Sequence, residues 1–200
     1  MLDLFTTKET NLLPCDGEAY YSPAVVPRDE TNDHLNCLLR NISWKQDEVF
    51  LYGKHITTQR EMAWYGDKRY VYHYSNTTKH ALLWTKELLP LKAIVEKETK
   101  TVFNSCLLNL YHSGNEGMGW HSDDEASLER YGMIASLSLG AERDFVFKHK
   151  KTGQKVSILL EQGSVLRMQG RTQDHWLHAL PKTTKISTPR INLTFRKMRG

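Results

Sequence analysis

His121, Asp123, Asp124 and Glu125 crowd into five positions of "GWHSDDEASLERYG", directly after the apolar run "VFNSCLLNLY". In an extended segment, residues two apart project to the same side, so His121 and Asp123 face one way, as two ligands of one metal must. An H-x-D pair also arises by chance as a turn acid beside a surface histidine, so a third ligand has to come from elsewhere in the chain. His175 and His178 in "TQDHWLHALPK" are the candidates. Two histidines and one carboxylate leave coordination positions open, the set that suits non-haem Fe(II). Zinc accepts the same donors, so the ligand types alone do not name the metal.

The segment "PRINLTFRK" adds a second kind of chemistry. It alternates strictly, with Arg190, Asn192, Thr194 and Arg196 on one face and Ile191, Leu193 and Phe195 on the other. The apolar face belongs to a core. A solvated edge would explain one arginine, but two of them shortly after a candidate ligand histidine invite an acidic ligand, because guanidinium grips carboxylate in a two-pronged, charge-assisted geometry. In "LLNLY", Asn109 and Tyr111 share a face and offer donors that could help hold a dicarboxylate over the metal.

Positioning these groups requires a scaffold, and the chain supplies one of ordinary size. Its 200 residues suit a single domain with a real core. Helical spacing is expected over 29–42 (Leu35, Leu38, Leu39, Ile42) and over 86–98 (Leu91, Ile94, Val95), the second helix starting or bending at Pro90. From Val102 onward the texture becomes short β-like runs: "VFNSCLLNLY", "MIASLSLG", "RDFVFKH", "KVSILL", "GSVLRMQG" and "RINLTFRK". "EVFLYG" and "YVYHYS" read as two further strands upstream. Short, regularly spaced strands behind two helices give an α+β protein built around an antiparallel sandwich.

Cys15, Cys37 and Cys106 are odd in number and far apart, which argues against a disulfide framework or a cysteine zinc site. The first residues lack the basic start and apolar block of a signal peptide. No apolar run approaches the ~20 residues of a membrane helix. A soluble, intracellular protein without a secretion signal is therefore expected. The net charge of +4 hides an asymmetry: residues 1–139 carry 14 Lys/Arg against 19 Asp/Glu, and residues 140–200 carry 13 against 4. A basic end of this kind is a footprint for a polyanion, provided the charges share a face.

Together, "NLYHSGNEGMGWHSDDE", "IASLSLGAERDFVFKHK", "GSVLRMQGRTQDHWLHALPK" and "RINLTFRK" resemble the AlkB family of Fe(II)/2-oxoglutarate dioxygenases. "REMAWYGDKRYVYHYSN" resembles that family's nucleotide-recognition lid. The resemblance implies a double-stranded β-helix, or jelly roll, with buttressing helices and an N-terminal lid. One domain would span 1–200, with the lid at about 45–80 and the catalytic core at 102–198. It implies His121, Asp123 and His178 as iron ligands, His178 taking precedence over His175 from its place in "W-x-H-x-L-P". Arg190 and Arg196, with Asn109, Tyr111 and Thr194, would hold 2-oxoglutarate. Asp124 would brace Arg196, and Glu125 would accept hydrogen bonds from the target base. Tyr72, Tyr74 and Arg60 would contact that base, and Tyr52 would fill the stack it vacates. The basic loop Lys148–Lys155 would touch phosphates.

The activity implied is oxidative demethylation of 1-methyladenine and 3-methylcytosine in DNA, consuming O2 and 2-oxoglutarate. The protein would act as a monomer, in the bacterial cytoplasm or in a nucleus. RNA or protein as substrate, and a module that binds modified bases without oxidising them, remain alternatives. Gln59, Asn76 and Asn115 depart from the family's pattern, at positions that touch lid shape and substrate choice but no proposed ligand.

Overall fold

Antiparallel pairing dominates the chain and gathers its strands into two facing sheets. The computed structural model describes residues 10–51, 54–74 and 77–199, leaving aside the side chains of 47–56 and 72–79. The larger sheet contains β1 (Glu18–Ser22), β2 (Lys45–Leu51), β3 (Lys54–Gly66), β6 (Leu82–Leu83), β7 (Ser105–Tyr111), β9 (Ile134–Gly140), β12 (Val165–Gln169) and β14 (Arg190–Arg196). Its order is β1-β12-β9-β14-β7-β3-β2, with the short β6 lying parallel to β3. The smaller sheet runs β11 (Lys155–Leu160), β10 (Arg143–His149), β13 (Trp176–Leu180), β8 (Met118–His121). A separate hairpin pairs β4 (Val71–Tyr74) with β5 (Thr77–His80). Two antiparallel sheets with this crossing strand order form a jelly roll.

Helices α1 (Arg28–Asn41) and α2 (Leu88–Thr99) buttress the larger sheet. Leu38, Leu88, Leu91 and Val95 pack with Leu108, Leu137, Ile191, Leu193 and Phe195 from the sheet's helix-facing side. This side, not the space between the sheets, holds the largest apolar cluster. Pro90 falls in the first turn of α2, where its missing N–H would have had no helical partner, so the helix is not bent there. The short α3 (Thr172–His175) leads directly into β13.

A second cluster closes one end of the sandwich, with Ile134, Leu166 and Met168 from the larger sheet against Phe147, Leu160 and Trp176 from the smaller one. The strands expected at "RDFVFKH", "KVSILL" and "RINLTFR" are present as β10, β11 and β14. β3, 13 residues long, is present where "TTQRE" gave no alternation to read, because its backbone pairs with β2 on one side and β7 on the other, while Ala63 and Tyr65 farther along it join the core. Among the described residues, no helix is long and apolar enough to cross a membrane.

Candidate active site

β8 and β13 are neighbours in the smaller sheet, and their register puts His121 directly across from His178. The two rings meet edge to face, with centroids 4.2 Å apart. Asp123 follows β8 by two residues, and its Oδ2 lies 3.9 Å from Nε2 of His178. Two ligands each about 2.1 Å from one ion stand about 3 to 4 Å apart, so this spacing fits a shared metal. The ligand atoms of His121, Asp123 and His178 all lie within 4.8 Å of one another. Nδ1 of His121 lies 2.8 Å from the Gly119 carbonyl, a contact that places its proton there and leaves Nε2 free to ligate. Burial lowers the His178 pKa to about 4, which keeps the ring neutral, the form a metal needs. Burial alone would raise the Asp123 carboxyl, but His178, Arg196 and His121 outweigh it and hold the group below the usual carboxylate range.

The polar face of β14 looks away from the helices into a cavity of 560 Å³ between the sheets. Arg190 is 2% exposed there, and burial brings its pKa down to about 10, so it stays charged at neutral pH. One terminal nitrogen of Arg190 donates to Ser138 Oγ at 2.8 Å and to Asn192 Oδ1 at 3.1 Å, while its buried Nε has no partner. Its guanidinium lies 5.7 Å from the centre of the Tyr111 ring. Asn192 donates onward to Thr194 Oγ1 at 2.7 Å. Arg196 closes the row near the metal ligands, 3.3 Å from Glu125 Oε1 and 4.0 Å from Asp123 Oδ1, again with an unpartnered buried Nε. Two buried guanidiniums with unused donors, flanked by Asn109 and Tyr111, fit a dicarboxylate that runs from Arg190 toward the three ligands.

The expected brace on Arg196 is corrected. Asp124 is exposed and accepts from Ser122 Oγ at 3.1 Å, while Glu125 and Asp123 take its place beside the arginine. β8 ends at His121, so the turn that follows, not strand alternation, decides which acid faces inward. Glu125 presents its other oxygen, Oε2, buried and without a partner, at the cavity wall. Arg60 also lines the cavity and donates to Asn109 Oδ1. Tyr52 lies outside the described residues, as do the side chains of Tyr72 and Tyr74, although β4 carries both backbones.

Sequence reasoning missed the apolar walls. Met62, Trp64, Leu107, Phe145, Met168 and Leu180 line the cavity, and the Phe145 ring stacks on His178 at 5.4 Å. The alternation of "RDFVF" could have shown Phe145 and Phe147 facing one way, but not that the first of them would reach a metal ligand.

A second cluster, Cys15, Asp16 and His149, has metal-like spacing but the wrong proton. Nδ1 of His149 accepts from the Thr152 backbone N–H at 3.1 Å, so the ring proton sits on Nε2, 3.3 Å from Asp16 Oδ2. That nitrogen is not free to ligate. The basic end is also less of a surface than its count suggests, since Arg143, Arg167, Arg190 and Arg196 are all buried.

A triad of two histidines and one carboxylate, its His178 buried, opening beside paired arginines in a jelly roll, has the donor set that suits an iron-dependent oxygenase. The chain belongs to the 2OG-Fe(II) oxygenase superfamily, whose family model matches residues 18–196. It is 38% identical over 184 residues to the Bos taurus alpha-ketoglutarate-dependent dioxygenase alkB homolog 3, covering 87% of this chain and 64% of that protein. It is 39% identical over 194 residues to the Bos taurus DNA oxidative demethylase ALKBH2, covering 93% of this chain and 69% of that one. The solved structure of OsALKBH1 shares the fold, with a TM-score of 0.62 at 16% identity over 90% of this chain and 97% of its own. The chain thus spans about two thirds of the length of the curated relatives it matches.

Proposed function

We propose that the protein removes alkyl groups from the nitrogens of nucleobases in DNA by oxidising them, with 2-oxoglutarate as co-substrate. The observation that carries this reading is the pair of buried, under-partnered arginines in the same cavity as the open ligand triad. The similarity to a protein named for oxidative DNA demethylation supports the choice of substrate. The finer assignment is to 1-methyladenine and 3-methylcytosine.

His121, Asp123 and His178 would hold Fe(II), which supplies O2 activation coupled to oxidative decarboxylation of 2-oxoglutarate to succinate and CO2. One oxygen atom goes to succinate and the other to the alkyl carbon, which then leaves as formaldehyde and restores the base N–H or lone pair.

The chain's own groups orient the reactants. Arg190 grips the carboxylate remote from the metal, and its fixed hydrogen bonds to Ser138 and Asn192 pre-orient it. Burial raises the Tyr111 pKa, so its hydroxyl remains a donor throughout the working pH range. Arg196 carries positive charge to the metal end, where Asp123 and Glu125 lie. Glu125 Oε2 is placed to accept from the amino group of the base. Met62, Leu107, Phe145 and Leu180 keep water from the reacting carbon.

The test is incubation with Fe(II), ascorbate, 2-oxoglutarate and an oligonucleotide carrying one 1-methyladenine, followed by mass spectrometry and a succinate assay. Demethylation that needs 2-oxoglutarate and is lost in His178→Ala and Arg190→Ala is expected. Bound iron per chain, measured separately, should fall in His178→Ala and persist in Arg190→Ala. Succinate without demethylation would keep the oxygenase and redirect the substrate to RNA or protein. Neither product from iron-loaded, folded protein would sink the reading.

A further inference from the structure

We propose that the outer face of the smaller sheet holds a stacking platform for an unpaired base, built by Trp120 with Lys148 and Lys155, and that the preferred substrate is a single strand. The inference rests on the nucleic-acid reading above and extends it to a surface outside the cavity.

Trp120 immediately precedes His121 in β8. Neighbours in a strand point to opposite faces, so a histidine turned into the cavity turns the tryptophan out of it. The indole is 40% exposed. Lys148 and Lys155 are directly opposed across β10 and β11, where like charges repel. Their ammonium groups lie 4.5 Å and 5.9 Å from the centre of the Trp120 ring. Among the described residues, neither lysine has a carboxylate partner. Two cations held on one exposed aromatic ring are what a flexible nucleic-acid strand can use, through a base on the ring and phosphates on the ammonium groups.

Position makes the surface relevant to the cavity. Trp120 and His121 have Cα atoms about 3.8 Å apart, and β8 is the edge of its sheet, bordering the cavity mouth. A strand that places its target base beside His121 and runs across this edge brings a flanking nucleotide onto the indole. Lys150 ties the neighbouring loop to the rim, donating to Ser122 Oγ at 3.2 Å and to the Gln173 carbonyl at 2.7 Å. The platform is therefore fixed relative to the ligand triad. In a duplex the flanking base stays paired within the helix and is held away from the indole, whereas an unpaired flanking base is free to swing onto Trp120.

The experiment is fluorescence anisotropy of the full chain with a labelled 12-nucleotide DNA strand carrying 1-methyladenine, and with the same strand annealed to its complement. Trp120→Ala should weaken single-strand binding about 5- to 150-fold and duplex binding less than about twofold on the same scale. Trp120→Phe, which keeps a flat ring, should recover most of the loss. Lys148→Gln should reduce the salt dependence of single-strand binding by about one phosphate's share.

Wild-type affinity in Trp120→Ala overturns the platform, as does an equal loss on strand and duplex, or a loss that Trp120→Phe does not recover. A lysine effect without a tryptophan effect would reduce the patch to a phosphate contact and overturn the stacking claim. The two readings fail separately: strand binding through Trp120 without demethylation sinks the function, and demethylation with Trp120→Ala binding like wild type sinks the platform.

Discussion

Arg190 is a buried charge with no ionic partner among the described residues. Its bonds to Ser138 and Asn192 are to neutral oxygens, and its Nε has none. Such a group opposes folding of the empty protein and favours the ligand-bound one, since a buried charge without an ionic partner is costly and an apolar replacement of similar volume is often stabilising. Arg190→Met is expected to raise the stability of the ligand-free protein by about 1 to 4 kcal/mol, read as a higher thermal midpoint, while abolishing measurable 2-oxoglutarate binding. A ligand-free midpoint that falls would show that the two hydrogen bonds outweigh the buried charge. Glu125 is the acidic counterpart, with one oxygen spent on Arg196 and the other unpartnered at the cavity wall. Glu125→Gln keeps the shape but gives up the charge and can turn a donor toward the base. Loss of one charged hydrogen bond, about 1.5 to 3 kcal/mol, should raise KM for a methylated oligonucleotide by about 10- to 150-fold, with a much smaller change in the affinity for 2-oxoglutarate. Equal changes in both would assign Glu125 to the co-substrate instead.

Elements carry these residues to their places, and some elements were far easier to read than others. β14 was legible on both faces because its alternation is strict and each face has its own partner: helices for Ile191, Leu193 and Phe195, the cavity for Arg190 through Arg196. His121 shares this legibility, but Asp123 lies past the end of β8, and it is the β8–β13 pairing that puts His121 opposite His178. The brace on Arg196 was not legible, because Asp123, Asp124 and Glu125 sit in a turn where spacing no longer sets direction. Trp64 and Phe145 were missed because an aromatic in a strand reads alike whether it faces a helix layer or a cavity. Arg143 shows a third limit. It opens β10 yet is buried, donating to the Glu116 carbonyl at 2.9 Å and the Pro181 carbonyl at 2.7 Å, with longer bonds to those of Ser113 and Gly114. It knots the loop before β8 to the exit of β13, the two strands that bring His121 and His178. The loops cross so closely there that a Cβ on Gly117 would sit 2.4 Å from the Leu180 carbonyl. Arg143→Ala strands several buried carbonyls at about 1 to 3 kcal/mol each, so a loss of at least about 3 kcal/mol is expected in denaturant unfolding, together with weaker metal binding. A loss under about 1 kcal/mol, the net worth of one ordinary hydrogen bond, would mean that water replaces the knot at no cost.

For the molecule as a whole, the apolar stabilisation lies mostly on the helix side of the larger sheet, while the space between the sheets is given partly to a polar cavity. Phe147, Trp176 and their neighbours join the sheets at one end, but at the other the facing surfaces carry Arg190, Arg196, Asp123 and Glu125. In the proposed reading metal and dicarboxylate supply the opposite charges for these groups, and stability should be coupled to both. A ligand at a hundred times its Kd adds about 2.7 kcal/mol to a fold that alone binds it. For a chain of this size about 1 kcal/mol moves the thermal midpoint by about 2 to 4 °C, so saturating 2-oxoglutarate with a divalent ion in the absence of O2 should raise it by about 5 to 11 °C. Both together should give more than the sum of the two separate shifts, since the carboxylate near Arg196 and the ion beside Asp123 neutralise each other's cost. Differential scanning fluorimetry with the ion alone, 2-oxoglutarate alone and both together separates these terms. A simply additive pair of shifts would mean that the two sites fill independently, and the cavity would then be two neighbouring sites instead of one coupled centre.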